Sequence, residues 1–195
     1  MRSSREGEEM NKQEFRLAFL QNAIADIGKG EEGGNNDGPY VRGLLDGVGV
    51  DYPAAWCTAA VWRWIELAEE DIIINANSSV EFDFSDVSKL YTPSARAMFN
   101  AAKELGWVLA EGKRPEPGDI MIVKRTAYDA NGHIIDWLGH AAVVENKKQA
   151  NRYGPFIPVI EGNVGPYPAK VRRSEYVLPI KGLLGFIRLF GDGEQ

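Results

Sequence analysis

The chain has 195 residues, 44% apolar and 26% charged, an ordinary globular composition that fits one domain large enough to bury its own core. Its formal net charge of −6 lacks the basic footprint of a nucleic-acid binder and gives no pull toward anionic membrane surfaces. The one cysteine, Cys57, and two histidines, His133 and His140, exclude an intrachain disulfide framework and any multi-cysteine metal cluster.

Residues 1–10 are polar and charged, and a disordered lead-in is expected there. No apolar stretch behind Met10 reads as a signal peptide. Residues 15–27 are interrupted by Arg16, Gln21, Asn22 and Asp26, too polar to span a bilayer. Asn11 as a cap, with Glu14 three residues on, predicts a helix carrying Phe15, Phe19, Ala23 and Ile27 on one face and stopping at Gly28 and Gly30. A polar, glycine-rich loop, KGEEGGNNDG, follows from Lys29, and Pro39 opens a short helix with Tyr40, Val41, Leu44 and Leu45. After a turn at Asp51, Tyr52 and Pro53, the run WCTAAVWRWIELAEE from Trp56 has helical periodicity in Cys57, Ala60, Val61, Trp64, Ile65 and Ala68. Residues 75–89 are polar and predict a loop. Thr92 and Pro93 then open a helix with Ala95, Met98, Phe99, Ala102 and Leu105 on its apolar side. Beyond Gly106 the period changes. Short strand-like runs start at Ile120, His140, Phe156, Lys170 and Leu184, separated by glycine, proline and asparagine. Helices first and strands second predict an α+β domain with a mostly antiparallel sheet.

Three positions could carry chemistry. Cys57 falls near a helix N-terminus, where backbone N–H groups and the helix dipole stabilise a thiolate; a small buried hydrophobe is the ordinary alternative. His140 opens a strand, from which it could reach across to such a helix, or it could be a core histidine satisfied by a carbonyl. Glu161 and Asn163, in VIEGN, lie at a later strand's end with equal parity, where a carboxylate or amide can fix an imidazole tautomer; the alternative is a turn. His133, in the polar turn DANGH, reads as a solvated loop residue, with a place lining a substrate groove the alternative. Together, a cysteine, a histidine and a polar orienter in that order make the constellation of a cysteine nucleophile with a histidine base.

The chain resembles the CHAP domain (cysteine, histidine-dependent amidohydrolase/peptidase), in the NlpC/P60 branch of papain-like enzymes. PAAWCTAAVWRW from Pro53 resembles the family's nucleophile block and PEPGDIMIV from Pro115 its turn and first strand. GHAAVVE from Gly139 resembles the histidine strand, and VIEGNVG from Val159 the block supplying the third group. The loop from Glu31 and the closing LLGFIRLF also fit, so the likeness covers most of residues 31–190. The segment between the cysteine helix and PGDI, and the hairpin at residues 128–137, are long for the family. The resemblance implies a papain-like fold, with the nucleophile helix packed on the C-terminal sheet, in one catalytic domain at 11–190 with a tail at 191–195. It implies cleavage of an amide in bacterial peptidoglycan, either the N-acetylmuramoyl–L-alanine link or a peptide bond of the stem or cross-bridge. Carried over by position, Cys57 is the nucleophile, His140 the general base, and Glu161 the orienter with Asn163 assisting. Trp56 and Tyr52 are candidate groove walls, with a place in the core the equal alternative for both.

Some family members bind calcium upstream of the cysteine. Here Asn35, Asn36, Asp37 and Asp51 form no D-x-D-x-D-G loop, so no metal or other cofactor is expected. The expected partner is peptidoglycan, with no nucleic acid, no membrane insertion and a monomeric state. The expected location is cytoplasmic until release or non-standard export to the wall, as for a phage lysin or an antibacterial effector. Two other readings remain open: a papain-like protease or acyltransferase with a non-wall substrate, and a non-catalytic wall-binding module.

Overall fold

The computed structural model describes residues 4–75, 84–128, 131, 134–135, 138–151 and 154–191. Helix α1 (Ser4–Ala25) starts before the expected cap, so Asn11 sits inside it and the helix runs back into the expected lead-in. Glu8, Glu9, Met10, Lys12 and Gln13 are strong helix formers with no proline among them, so nothing in the sequence halts the helix at Asn11. Helix α2 (Pro39–Gly47) takes proline in its first turn and buries Val41, Leu44 and Leu45. Helix α3 (Cys57–Asn75) runs past the expected end at Glu70, since Asp71, Ile72 and Ile73 contain no breaker. Both α1 and α2 pack on α3.

The expected loop at 75–89 lies partly outside the described residues, and its end is a 3-10 turn at Val87–Leu90, pinned because Val87 and Leu90 are both buried. Helix α4 (Ala95–Glu104) is capped by Ser94, whose Oγ accepts the Ala97 N–H at 3.3 Å.

All five expected strands form: β1 (Ile120–Lys124), β4 (Gly139–Val144), β6 (Gly154–Glu161), β7 (Arg172–Val177) and β8 (Leu183–Ile187). The sheet's named pairings are all antiparallel. Three short strands add to these. Two of them, β2 (Ala127–Tyr128) and β3 (Ile134–Ile135), pair as a small separate hairpin where the sequence led one to expect one. The third, β5 (Gln149–Asn151), pairs with the start of β6 as β4 pairs with its end. Across the sheet the sequence is thus β7, β6, then β4 and β5 together, β1 and β8.

The sheet is covered on both faces. Ile120, Ile122, Ala141, Val143, Ile160 and Ile187 join the helices in the main core. Met121, Val123, Ala142, Val144, Ile157, Val159 and Phe186 form a second core roofed by Leu109, Tyr176 and Ile180. Burial on both faces is why IMIV and AAVV read as unbroken apolar runs rather than alternating ones.

Two features of this frame place the site. Antiparallel pairing of β4 with β6, Val144 opposite Val159 and Val143 opposite Ile160, brings the start of β4 beside the end of β6. Helix α3 packs on β4, with its first residue at the same end.

Candidate active site

Cys57 is the first residue of α3, and the residue before it anchors that end. Trp56 is fully buried, at 0% exposure. Its ring lies so close over Gly162 that a Cβ added there would sit 2.2 Å from Trp56 Cζ3. Its indole Nε1 donates to Glu31 Oε1 at 3.3 Å, and the ring meets Tyr40 edge-on at 6.1 Å. Glu31 is itself buried and accepts two further bonds, from the Asn36 N–H at 2.9 Å and the Ala169 N–H at 2.7 Å. The glycine-rich loop therefore acts as a strut under the nucleophile. Of the two readings of Trp56, its burial fits the core and not a groove wall, because a wall must be exposed. Tyr52 is exposed, with the Arg42 guanidinium 4.9 Å from its ring centroid.

His140 is 1% exposed and its Nε2 lies 2.8 Å from Glu161 Oε2. The same carboxylate oxygen accepts the Tyr176 hydroxyl at 2.8 Å, and Ser174 adds a further hydrogen bond. Cys57 and His140 lie near enough that each favours the charged form of the other. With Nε2 engaged by Glu161, Nδ1 is the nitrogen left for the thiol. The Arg125 guanidinium also reaches Nδ1, its Nη2 at 2.9 Å, and donates to the Asn163 carbonyl at 3.2 Å. Asn163 itself forms the turn after β6 at φ 58, a left-handed conformation that asparagine tolerates better than most residues. It meets the site through its backbone. The Thr58 hydroxyl lies 3.8 Å from the Cys57 sulfur.

The electrostatics move Cys57 and His140 toward an ionised pair, against the Arg125 charge that opposes protonation of the ring. Burial pushes the Cys57 thiol up, but the charge and hydrogen bond of His140, the Ala141 backbone N–H and the Arg125 charge pull it down further, to about 6. His140 moves the other way. Burial lowers it, and Cys57 and Glu161 together raise it above the ordinary imidazole value. Glu161 stays below the usual carboxylate range despite burial, through His140, Ser174 and Tyr176.

Such an arrangement supports a thiolate nucleophile, a proton carrier beside it and a carboxylate that fixes the carrier's tautomer. Three of the candidates, Cys57, His140 and Glu161, converge. His133 lies outside the described residues. Among the described residues no group of three or more His, Cys, Asp or Glu could hold a metal ion. Three participants went unforeseen: Arg125, Tyr176 and Ser174. For the last two a signal existed, since alternation in RRSEYV puts Ser174 and Tyr176 on one face of β7. Arg125 required the register of β1 against β4, with Val123 opposite His140.

A family model described as the CHAP domain matches residues 47–163, more than half of the chain and inclusive of Cys57, His140 and Glu161. No curated protein and no solved structure matches the chain.

Proposed function

Given that the chain belongs to the CHAP domain family, cysteine-dependent amidases and peptidases that act on peptidoglycan, we propose that it hydrolyses an amide of the peptide stem, of its cross-bridge or of its link to the glycan. Cys57, His140 and Glu161 carry the reaction, and the work is done at the cell wall. The observation behind this reading is the convergence of a thiol lowered to about 6 with an imidazole held by Glu161 at 2.8 Å.

In the proposed reaction the Cys57 thiolate attacks the carbonyl carbon and charge develops on its oxygen. The helix N-terminus at Cys57, with first-turn N–H groups that have no partner within the helix, is placed to receive that charge. The imidazolium of His140 gives its Nδ1 proton to the leaving nitrogen as the C–N bond breaks, leaving a thioester. Water then attacks the thioester while His140 takes its proton. The C–S bond breaks, the acid leaves and the thiolate returns. Throughout, Glu161 holds Nε2–H and balances the imidazolium, and Tyr176 and Ser174 hold Glu161. Exposed Tyr52, near the nucleophile in sequence, is a candidate wall of the substrate groove.

Digestion of purified sacculi with mass spectrometry of the soluble products tests this. New N-terminal alanine on stem peptides identifies the glycan-linked amide, and other new amines identify a stem or cross-bridge bond. Cys57→Ala should abolish release while leaving the melting temperature within a few degrees. Release that survives Cys57→Ala, or intact sacculi with the native protein, would sink the proposal.

A further inference from the structure

Arg125 lowers the Cys57 thiol by its charge, but touches no reacting atom except Nδ1 of His140 in the reaction just described. Its Nη2 donates to Nδ1 of His140 at 2.9 Å. A nitrogen that accepts this bond carries no proton, so while Arg125 holds Nδ1 the imidazole is neutral, with its one proton on Nε2 toward Glu161, and the ionised pair with Cys57 forms in exchange with Arg125 off the ring. The lone pair that must take the thiol proton is therefore the one Arg125 occupies. A guanidinium stays charged at any working pH, and a cation beside the ring opposes protonation of His140. Turnover requires Arg125 to give up Nδ1.

Whatever draws it away must offer a better acceptor. Arg125 is half-buried, and among the described residues no carboxylate pairs with it, in a chain of net charge −6. Among the described residues its side-chain bonds use Nη2 alone, to Nδ1 and to the Asn163 carbonyl. The rest of the five-donor fork matches a carboxylate in two-point geometry. Stem peptides carry a carboxylate near the scissile amides, in the α-carboxyl of the second residue, which occurs free or as the neutral amide.

We infer that Arg125 is a specificity residue, which binds a free carboxylate of the substrate beside the scissile amide and thereby releases Nδ1 of His140 to Cys57. The inference rests on the proposed peptidoglycan chemistry. With the guanidinium charge matched by the substrate carboxylate, the Cys57 proton passes to Nδ1. The product is a thiolate and an imidazolium whose Nε2–H remains on Glu161. No net charge is created. An amidated substrate offers no counter-charge and leaves Arg125 on the ring.

The test uses two stem-peptide muropeptides that differ only in that α-carboxyl, free in one and amidated in the other. Their kcat and KM are measured with the native protein, Arg125→Gln and Arg125→Lys. The native protein should prefer the free acid by about tenfold in kcat/KM, the scale of one charge-assisted pair. Arg125→Gln should bring the two substrates within about twofold of parity, because the amidated form no longer meets a guanidinium on Nδ1 and the acid loses its charge-assisted pair. Arg125→Lys, with the charge but not the fork, should fall between. Equal cleavage of both forms by the native protein overturns the inference and leaves the proposed function standing; so does a preference that survives Arg125→Gln. Failure of the native protein to cut either form, or whole sacculi, overturns the proposed function and the inference with it. The native comparison stands even where a variant fails to fold.

Discussion

The thiol of Cys57 is poised by opposition between burial, which raises it, and the charges of His140 and Arg125, which lower it to about 6. Thiolate accumulates as pH rises through the pKa, so the rate of iodoacetamide labelling should rise with a midpoint near pH 6. An ordinary free thiol has its midpoint at about 8.5. Cys57 is 5% exposed, which slows labelling at every pH without moving the midpoint. A midpoint at the free-thiol value would remove the ion pair from the site. Glu161→Gln takes away the counter-charge at Nε2. The imidazolium then loses stability, the thiolate loses its partner, and the labelling midpoint should move upward. Turnover should fall by about a hundredfold, the scale of losing effective general acid–base catalysis. A purely structural Glu161 would instead lower the melting temperature and leave the midpoint in place.

At the scale of elements, the site is a junction of three ends: the start of α3, the start of β4 and the end of β6. Gly162 is the point of closest approach, because the Trp56 ring occupies the space a side chain would need. Trp56 cannot retreat, being fully buried and bonded to Glu31. Gly162→Ala should therefore cost about 1–3 kcal/mol, the range for overpacking a close-packed site. For a chain of this size each kcal/mol lowers Tm by about 2–4 °C. It should also reduce turnover, since Cys57 is the next residue after Trp56 and shifts with it. Calorimetry together with sacculus release checks both. An unchanged Tm would mean that the two ends are not wedged as described.

Over the whole molecule, the sheet is clamped to the helices at a second place, away from the chemistry. Asp119, with no exposed side-chain surface, takes two bonds from Arg188, at 3.0 and 2.8 Å. Arg16 of α1 donates to the Leu189 carbonyl at 3.2 Å close by. Burial raises Asp119 above the usual carboxylate range even with Arg188 beside it, so the pair's worth lies in not being broken rather than in net attraction. Asp119→Ala removes the two-point carboxylate from a largely buried guanidinium, which keeps the longer contacts to Glu116 at 3.7 Å and the Arg114 carbonyl at 3.4 Å, and should cost about 3 kcal/mol in a denaturant melt. The Cys57 labelling midpoint should stay near 6 under native conditions, because Asp119 is not among the groups that set it. A shift in that midpoint would couple the two regions in a way their separation does not provide. Among the described residues no helix is long and apolar enough to cross a membrane.

Local patterns made most of the frame legible. Periodicity placed α2, α3 and α4, and turn residues bounded the five long strands. The start of α1 was not legible, because a cap motif inside a run of good helix formers marks no boundary. The only cysteine, a strand-opening histidine and a carboxylate at a strand end were readable as a set, because each sits at an element boundary where side chains meet. Only tertiary structure decided what surrounds them. Whether Trp56 faces a groove or the core depends on Gly162, a hundred residues away in sequence at the turn after β6. That Arg125 reaches the imidazole depends on strand register, and that Tyr176 reaches Glu161 depends on β7 lying beside β6. The sequence carries residue type and local period, which set the elements and name the chemistry. Long-range packing selects the partner of each polar atom, and that choice sets the charge state on which the reaction depends.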